Sequence, residues 1–218
     1  MKLFVPPPLT SELGWEIMLQ GYYRKISREY DYTIITSFKG MKPLYQDFAD
    51  EVLEHNKSSR SLDFPNKIYR MKGEYIKFGK PRHIADVLIH ARGIRRGTDK
   101  NYKRWDDIKI PEAGYIGTHE DLCLNHTRDL RDIPLQDLMD VIAGAKVVIG
   151  GSSGVMHLAQ MCGTPIICWA DGRTYFGETL EKRYKETWNP LGSEVHWIPT
   201  PSWQPNPDDI FAELRSII

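Results

Sequence analysis

Asp140–Ala170, DVIAGAKVVIGGSSGVMHLAQMCGTPIICWA, reads in one pass as strand, small-residue turn, short helix and strand. Lys146–Ile149 is a short apolar run rich in β-branched residues, as expected of a parallel strand covered on both faces. Gly150 and Gly151 allow a sharp turn, and Ser152, Ser153 and Gly154 then bring N–H groups and hydroxyls to the start of a helix running to about Cys162. Gly163 ends that helix, Thr164 and Pro165 turn the chain, and Ile166–Ala170 is a second buried strand. The positive end of the helix dipole and the unpaired amides of its first turn suit a phosphate. Turns of this kind lie at the carboxyl end of a strand, where open α/β sheets bind ligands. The plain alternative is a tight turn with a helix cap. His157 falls one turn into the helix, where it either reaches a phosphate or ribose held at the helix start or packs against its surroundings.

Outward from this unit the chain alternates strands and helices in the manner of parallel sheets. Toward the N-terminus, Lys2–Val5 reads as a strand, Pro6–Pro8 as a rigid loop, Glu12–Tyr30 as a helix, Tyr32–Thr36 as a strand and Pro43–His55 as a helix. The polar segment Asn56–Pro81 is the expected join between two halves, residues 1–80 and 81–218. The second half continues with strands at Asp86–His90, Gly114–Gly117, Lys146–Ile149, Ile166–Trp169 and Glu194–Ile198. Helices are expected at Leu135–Ala143 and at Pro207–Ile218, the latter capped by Asn206 or Asp208. The fold class expected is α/β, with two small Rossmann-like domains facing across a cleft.

At 218 residues the chain can bury a sizeable core as one large domain or two small ones. Its 29 basic and 29 acidic residues balance, which argues against a general polyanion binder while leaving room for a local basic patch. Cys123, Cys162 and Cys168 lack metal-type spacing and read as reduced core thiols. Met1-Lys2 leads into a short apolar strand rather than a leader, and no apolar run has bilayer-spanning length, so a cytoplasmic protein is expected.

The stretch from Asp129 through Ser152-Ser153-Gly154-Val155-Met156-His157 to Cys162-Gly163-Thr164-Pro165 resembles the C-terminal domain of family 9 glycosyltransferases, the heptosyltransferase-like group of the GT-B fold. Those proteins show a helix, a strand, an (Asp/Ser)-Ser-Gly-x-Met-His element, then Gly-Thr-Pro and a further strand. Ser11–Glu16, just after the first strand, is similar to the glycine loop with an acidic residue at the start of their N-terminal domain. The architecture implied is a shortened GT-B arrangement. The resemblance implies transfer of a sugar from a nucleotide-diphosphate donor to an acceptor hydroxyl, with inversion, no bound metal and no cofactor. Ser152, Ser153 and Gly154 would hold the diphosphate, and His157 would contact a phosphate or the donor sugar. Preorganised donors aimed at the leaving oxygens stabilise the charge that builds there.

Basic side chains for that leaving group stand in His90–Trp105, HARGIRRGTDKNYKRW, directly after a strand. Similar glycosyltransferases have His-Ala-Arg followed by a basic, Asn-containing loop here, which points to Arg92, Lys100 and Asn101; a solvated basic loop is the plain alternative. An inverting transfer also needs a base for the acceptor proton. Relatives place an Asp after the Gly of the first loop, where this chain has Trp15, so the base falls to Glu12 or Glu16 on either side of Gly14. That departure, with a short N-terminal half, supports a second reading: a nucleotide-sugar-binding or interaction subunit without catalysis. A third keeps sugar transfer but makes the acceptor a nucleic acid or a protein.

Overall fold

The structure is a computed structural model and describes residues 1–6, 13–56, 73–93, 102–124, 128–175 and 177–218. The chain forms two compact units, Met1–Ile76 and Lys77–Ile218.

In the first unit, strand β1 (Leu3–Phe4), helix α1 (Leu13–Ser27), strand β2 (Tyr32–Phe38) and strand β3 (Glu51–His55) build a parallel sheet in the order β1-β2-β3. Along β2 the side chains alternate, so that Thr33, Ile35 and Ser37 turn inward. Helix α1 buries Ile17, Met18, Leu19 and Tyr23, and with them the polar Glu16, Gln20 and Arg24. Arg24 is ion-paired with Asp47, and its guanidinium lies 4.8 Å from the Phe48 ring centroid.

The helix expected over Pro43–His55 is not formed. A 3-10 turn at Lys42–Leu44 is followed by strand β3, which pairs with β2 from Ile34↔Glu51 to Phe38↔His55. Glu51, Leu53 and Glu54 are good helix formers and are exposed on this strand, so local preference pointed one way and edge pairing with β2 prevailed. Asp47 and Asp50, between the 3-10 turn and β3, are anchors: Asp47 holds Arg24, and Asp50 Oδ2 accepts from the Thr33 N–H at 2.7 Å.

The second unit holds strands β4 (Val87–His90), β5 (Gly114–Gly117), β6 (Asp129–Arg131), β7 (Val147–Gly151), β8 (Ile166–Trp169) and β11 (Val195–Trp197) in one parallel sheet of order β11-β8-β7-β4-β5-β6. The short strands β9 (Thr174–Tyr175) and β10 (Glu178–Thr179) pair antiparallel beside it. The edge strand β6 was not expected, because Asp129-Leu130-Arg131 offers one apolar residue between two charges. Helices α2 (Leu135–Ala143) and α3 (Gly154–Met161) precede and follow β7. A helical turn α4 (Leu180–Lys182) runs into a π-helical segment Arg183–Thr187, and α5 (Pro207–Ile217) closes the chain. Asn206 caps α5 by accepting from the Asp208 N–H. One face of the sheet packs Val147, Ile149, Ile167, Trp169 and Tyr115 against Ile210 and Leu214 of α5. Cys162 and Cys168 are buried free thiols, and burial pushes both upward from their ordinary ionisation range. Among the described residues, no helix is long and apolar enough to cross a membrane.

The strand order positions the site. From β4 the chain moves outward through β5 and β6, then crosses back to β7 on the other side of β4 and continues to β8 and β11. The reversal falls between β4 and β7. In open α/β sheets the loops part at such a switch point and leave a crevice outside the carboxyl ends of the strands.

Candidate functional site

Both sequence segments expected to meet a phosphate emerge at this reversal. His90 is the last residue of β4 and pairs in register with Gly150 of β7. A Cβ on Gly150 would lie 3.0 Å from Met156 Sδ and 3.2 Å from the His90 carbonyl oxygen, so a side chain here would have to displace one of them by a few tenths of an ångström. Beyond Gly151 the backbone enters an extended residue, Ser153, which serves as N-cap position of α3 without a side-chain cap.

The amides of the two serines are engaged within the protein. Ser152 N–H donates to the Trp169 carbonyl at 2.8 Å, and Ser153 N–H donates to Tyr184 Oη at 3.0 Å. The Tyr184 hydroxyl also lies 3.2 Å from Ser152 Oγ and 3.2 Å from the Ser153 carbonyl. The first-turn amides of Gly154 and Val155 have no acceptor among the described residues. The donors left for an anion are therefore the Gly154 and Val155 amides and the serine hydroxyls, with the α3 dipole behind them.

Tyr184 reaches the loop from the π-helical segment, fully buried, and burial pushes its hydroxyl well above the ordinary tyrosine range. His157 is stacked on the Tyr184 ring at 4.3 Å and 10°, and meets Trp188 edge-on at 4.9 Å. Burial lowers the His157 pKa to about 4, so the ring is neutral at physiological pH. The structure thus puts His157 behind the loop, as packing for the tyrosine that holds the loop, and its imidazole is not presented as a cation.

Arg92 follows β4 by two residues and is half-buried; its charge acts on the Tyr184 hydroxyl, which puts it near the serine loop. Lys100, Asn101 and Glu12 lie outside the described residues. Glu16 belongs to the first unit and is sealed there: its Oε2 accepts from the Ser37 hydroxyl at 3.0 Å and from the Tyr45 hydroxyl. Burial raises its pKa to about 7 against the lowering effect of Tyr45, Ser37 and the Phe38 backbone. In this position Glu16 offers no open face to an acceptor.

Two polar residues at the reversal were not singled out in the sequence. His90 and Asp121 are each about 5 % exposed. His90 Nδ1 is 3.1 Å from Ser153 Oγ, and its Nε2 faces Asp121 Oδ2 at 3.6 Å. Asp121 comes from the loop after β5 and is anchored by backbone N–H groups: Gly93 to Oδ1 at 2.8 Å and Thr118 to Oδ2 at 2.8 Å. Although burial opposes its ionisation, the facing His90 and the two amides hold this carboxyl well below the usual range. Glycine is required on both sides. A Cβ on Gly117 (φ +133°) would lie 2.4 Å from Asp121 Oδ2, and one on Gly93 would overlap the Glu120 carbonyl oxygen.

Along the same sheet edge, after β8 and β11, a cavity of about 300 Å³ is lined by Asp171, Leu180, Trp197, Pro199 and Thr200 among others. Asp171 is 5 % exposed. Its Oδ2 pairs with Arg173 Nε at 3.1 Å, and its Oδ1 is buried with no partner among the described residues.

Residues 130–201, which include β7, the serine loop, α3 and the cavity wall at Trp197, match the family model of glycosyltransferase family 9 (heptosyltransferase). The chain is thus similar to the family 9 glycosyltransferases over this segment. Solved structures share its fold. The E. coli ADP-heptose LPS heptosyltransferase II is 13 % identical, with a TM-score of 0.64 over 100 % of this chain and 98 % of that one. The family 9 glycosyl transferase from Veillonella parvula is 12 % identical, with a TM-score of 0.55 over 100 % and 90 %. The iron-containing dodecameric glycosyltransferase TibC of enterotoxigenic E. coli is 13 % identical, with a TM-score of 0.52 over 81 % and 62 %. No curated protein sequence matches. The α/β architecture with two parallel sheets is thus of the GT-B type shared by the heptosyltransferases.

Proposed function

We propose that this protein is a glycosyltransferase that moves a sugar from a nucleoside diphosphate donor to an acceptor hydroxyl, with inversion and with no metal needed. The observation that carries the reading is the opening of the serine-glycine turn at the strand-order reversal, inside the family-matched segment. The Gly154 and Val155 amides, the Ser152 and Ser153 hydroxyls and Arg92 would meet the diphosphate, joined by Lys100 and Asn101. The cavity beside Asp171 suits the nucleoside, whose hydroxyl or amino donors satisfy the unpartnered Oδ1. His157 enters this reading through Tyr184, as support for the loop.

In the transfer the acceptor oxygen attacks the anomeric carbon from the face opposite the diphosphate, while a carboxylate takes the acceptor proton. The bond from the anomeric carbon to the diphosphate oxygen breaks, and its electron pair leaves with the nucleoside diphosphate. Charge grows on that oxygen as the bond lengthens, and the fixed amides, hydroxyls and guanidinium oppose it most strongly at the transition state. Glu12 is our choice for the base, because Glu16 is enclosed by Ser37 and Tyr45.

The test is incubation of the full chain with a panel of labelled nucleotide sugars, with and without excess chelator. Release of free sugar or transfer to an added acceptor, unchanged by chelator, supports the reading, and Glu12→Gln should lower the rate about 10²-fold or more with nucleotide affinity kept. Turnover that returns only with magnesium or manganese overturns the metal-free part. The burial of Glu16 and the presence of Trp15 favour one other reading, a nucleotide-sugar-binding subunit without catalysis, for which donor binds tightly and no sugar is released.

A further inference from the structure

We infer that His90 is a positioning residue for donor binding: it sets the direction of the Ser153 hydroxyl, and seating a diphosphate on Ser153 draws a proton onto its imidazole. The inference rests on the reading of the serine loop as a diphosphate cradle.

The argument is one of hydrogen-bond direction across three neighbouring strand ends. Each oxygen of Asp121 already accepts from a backbone amide, Gly93 to Oδ1 and Thr118 to Oδ2, so the carboxylate presents acceptor lone pairs to the ring. The ring nitrogen facing it, His90 Nε2, therefore carries a hydrogen. The other nitrogen, Nδ1, lies 3.1 Å from Ser153 Oγ, where two arrangements are open. With Nδ1 bare, the Ser153 hydroxyl donates its single proton inward to the ring and presents only lone pairs outward. A phosphate oxygen, itself only an acceptor, is then repelled. With Nδ1 protonated, the ring donates to Ser153 Oγ, and the hydroxyl proton is free to donate outward to the phosphate. A diphosphate on Ser153 selects the second arrangement, which requires the imidazolium form and places a positive charge beneath the leaving group.

The surroundings permit that charge. Asp121 faces the ring from the β5 loop. On the same loop His119 and Glu120 are exposed, with His119 paired to Asp132. Arg131 of β6 is turned to the Asp121 carbonyl at 2.6 Å and is paired with Asp129. From the other side, Tyr184 reaches Ser153 as an uncharged phenol, and Arg92 follows on the ring's own strand end. The protonated ring and the ionised Asp121 form a buried pair of no net charge, the form in which interior charges are tolerated.

The readout is proton uptake, measured by titration calorimetry of the full chain with ADP, UDP, GDP and CDP at pH 8, where the ligands' phosphates are already ionised. Repeating the titration in buffers of different ionisation enthalpy separates uptake from binding heat. For whichever nucleotide binds, wild type should take up a measurable fraction of a proton per nucleotide. Ser153→Ala, which leaves His90 and Asp121 in place, should bind more weakly and take up none. His90→Ala should weaken binding about tenfold. His90→Asn, whose amide N–H replaces Nδ1–H as a fixed donor, should recover most of that loss yet take up no proton. A merely structural His90 does not produce this split. Binding without uptake in wild type, or equal uptake in His90→Asn, overturns the inference and leaves the diphosphate site standing. Failure of all four nucleotides to bind overturns both.

Discussion

Glu16 in the first unit and Asp121 in the second are both interior carboxyls, yet their environments drive them in opposite directions: Glu16 rises to about 7, whereas Asp121 is held well below its ordinary value. Burial opposes ionisation at both. At Asp121 the opposing donors are two backbone N–H groups at 2.8 Å and a facing imidazole. At Glu16 they are chiefly two neutral hydroxyls, from Ser37 and Tyr45, with no basic group among the causes of its shift. Two fixed amides with a partner able to carry charge outweigh desolvation, and two hydroxyls with one backbone contact do not. One carboxyl is therefore a permanent anion that organises a strand-end crevice, and the other is a proton-sharing strut inside a small sheet.

The largest effect expected from breaking this contrast is at Asp121. Asp121→Ala leaves the Gly93 and Thr118 amides unpaired and removes the partner of His90, and should cost roughly 3–5 kcal/mol in urea unfolding of the second unit. An unfolding midpoint equal to wild type would mean that the anchored carboxylate does not hold the segments after β4 and β5 together.

Glu16 gives a pH signature of the opposite sign to the usual carboxylate. Its folded pKa of about 7 exceeds the ordinary glutamate value of 4.5, so between these values the folded state binds more protons than the unfolded one. Stability from this residue is thus fully present below about 4.5 and is lost as pH rises to about 7, by roughly 3 kcal/mol. Glu16→Gln should flatten that slope and equal or exceed wild type at pH 8, measured as unfolding free energy of the first unit. A variant that keeps the slope would contradict the assignment. Asp121 adds no slope in this window, since a depressed carboxyl loses its contribution only at acid pH, as pH falls through its folded value.

A smaller change sharpens the account of the loop itself. Tyr184→Phe keeps the stack on His157 but removes the hydroxyl shared by Ser152 and Ser153. About 1 kcal/mol of stability and a severalfold loss of nucleotide affinity are expected, read by thermal unfolding and by titration. Unchanged affinity would show that the loop holds its shape without the tyrosine.

The sequence made legible what local pattern determines. The β-branched run, paired glycines and apolar helix of Lys146–Trp169 carry their own periodicity, and the strand, turn and helix stand where the pattern put them. Helix α2 was equally plain, an amphipathic segment over Leu135–Ala143 that ends at Gly144. Legibility failed where distant pairing decides. Strand β3 is made by its partner β2, and its own residues prefer helix. His90 and Ser153 are 63 residues apart, and only the return of the chain from β6 to β7 makes them neighbours. Asp121 had no motif to mark it, though Gly117, which ends β5, and Gly93, shortly after β4, were a signal that backbone approaches closely there. His157 was visible as a histidine near a helix start, but its burial depends on Tyr184 and Trp188, which a later segment supplies.

The central claim is that a diphosphate seats on the amides at the start of α3, beside the β4–β7 reversal. The most direct measurement is nucleoside diphosphate affinity of wild type and of Gly154→Val, with circular dichroism confirming that the variant is folded. A valine side chain at the first helical residue stands between the amides and the ligand, so affinity should fall at least about tenfold. Equal affinity in the folded variant would contradict the account and place the diphosphate elsewhere.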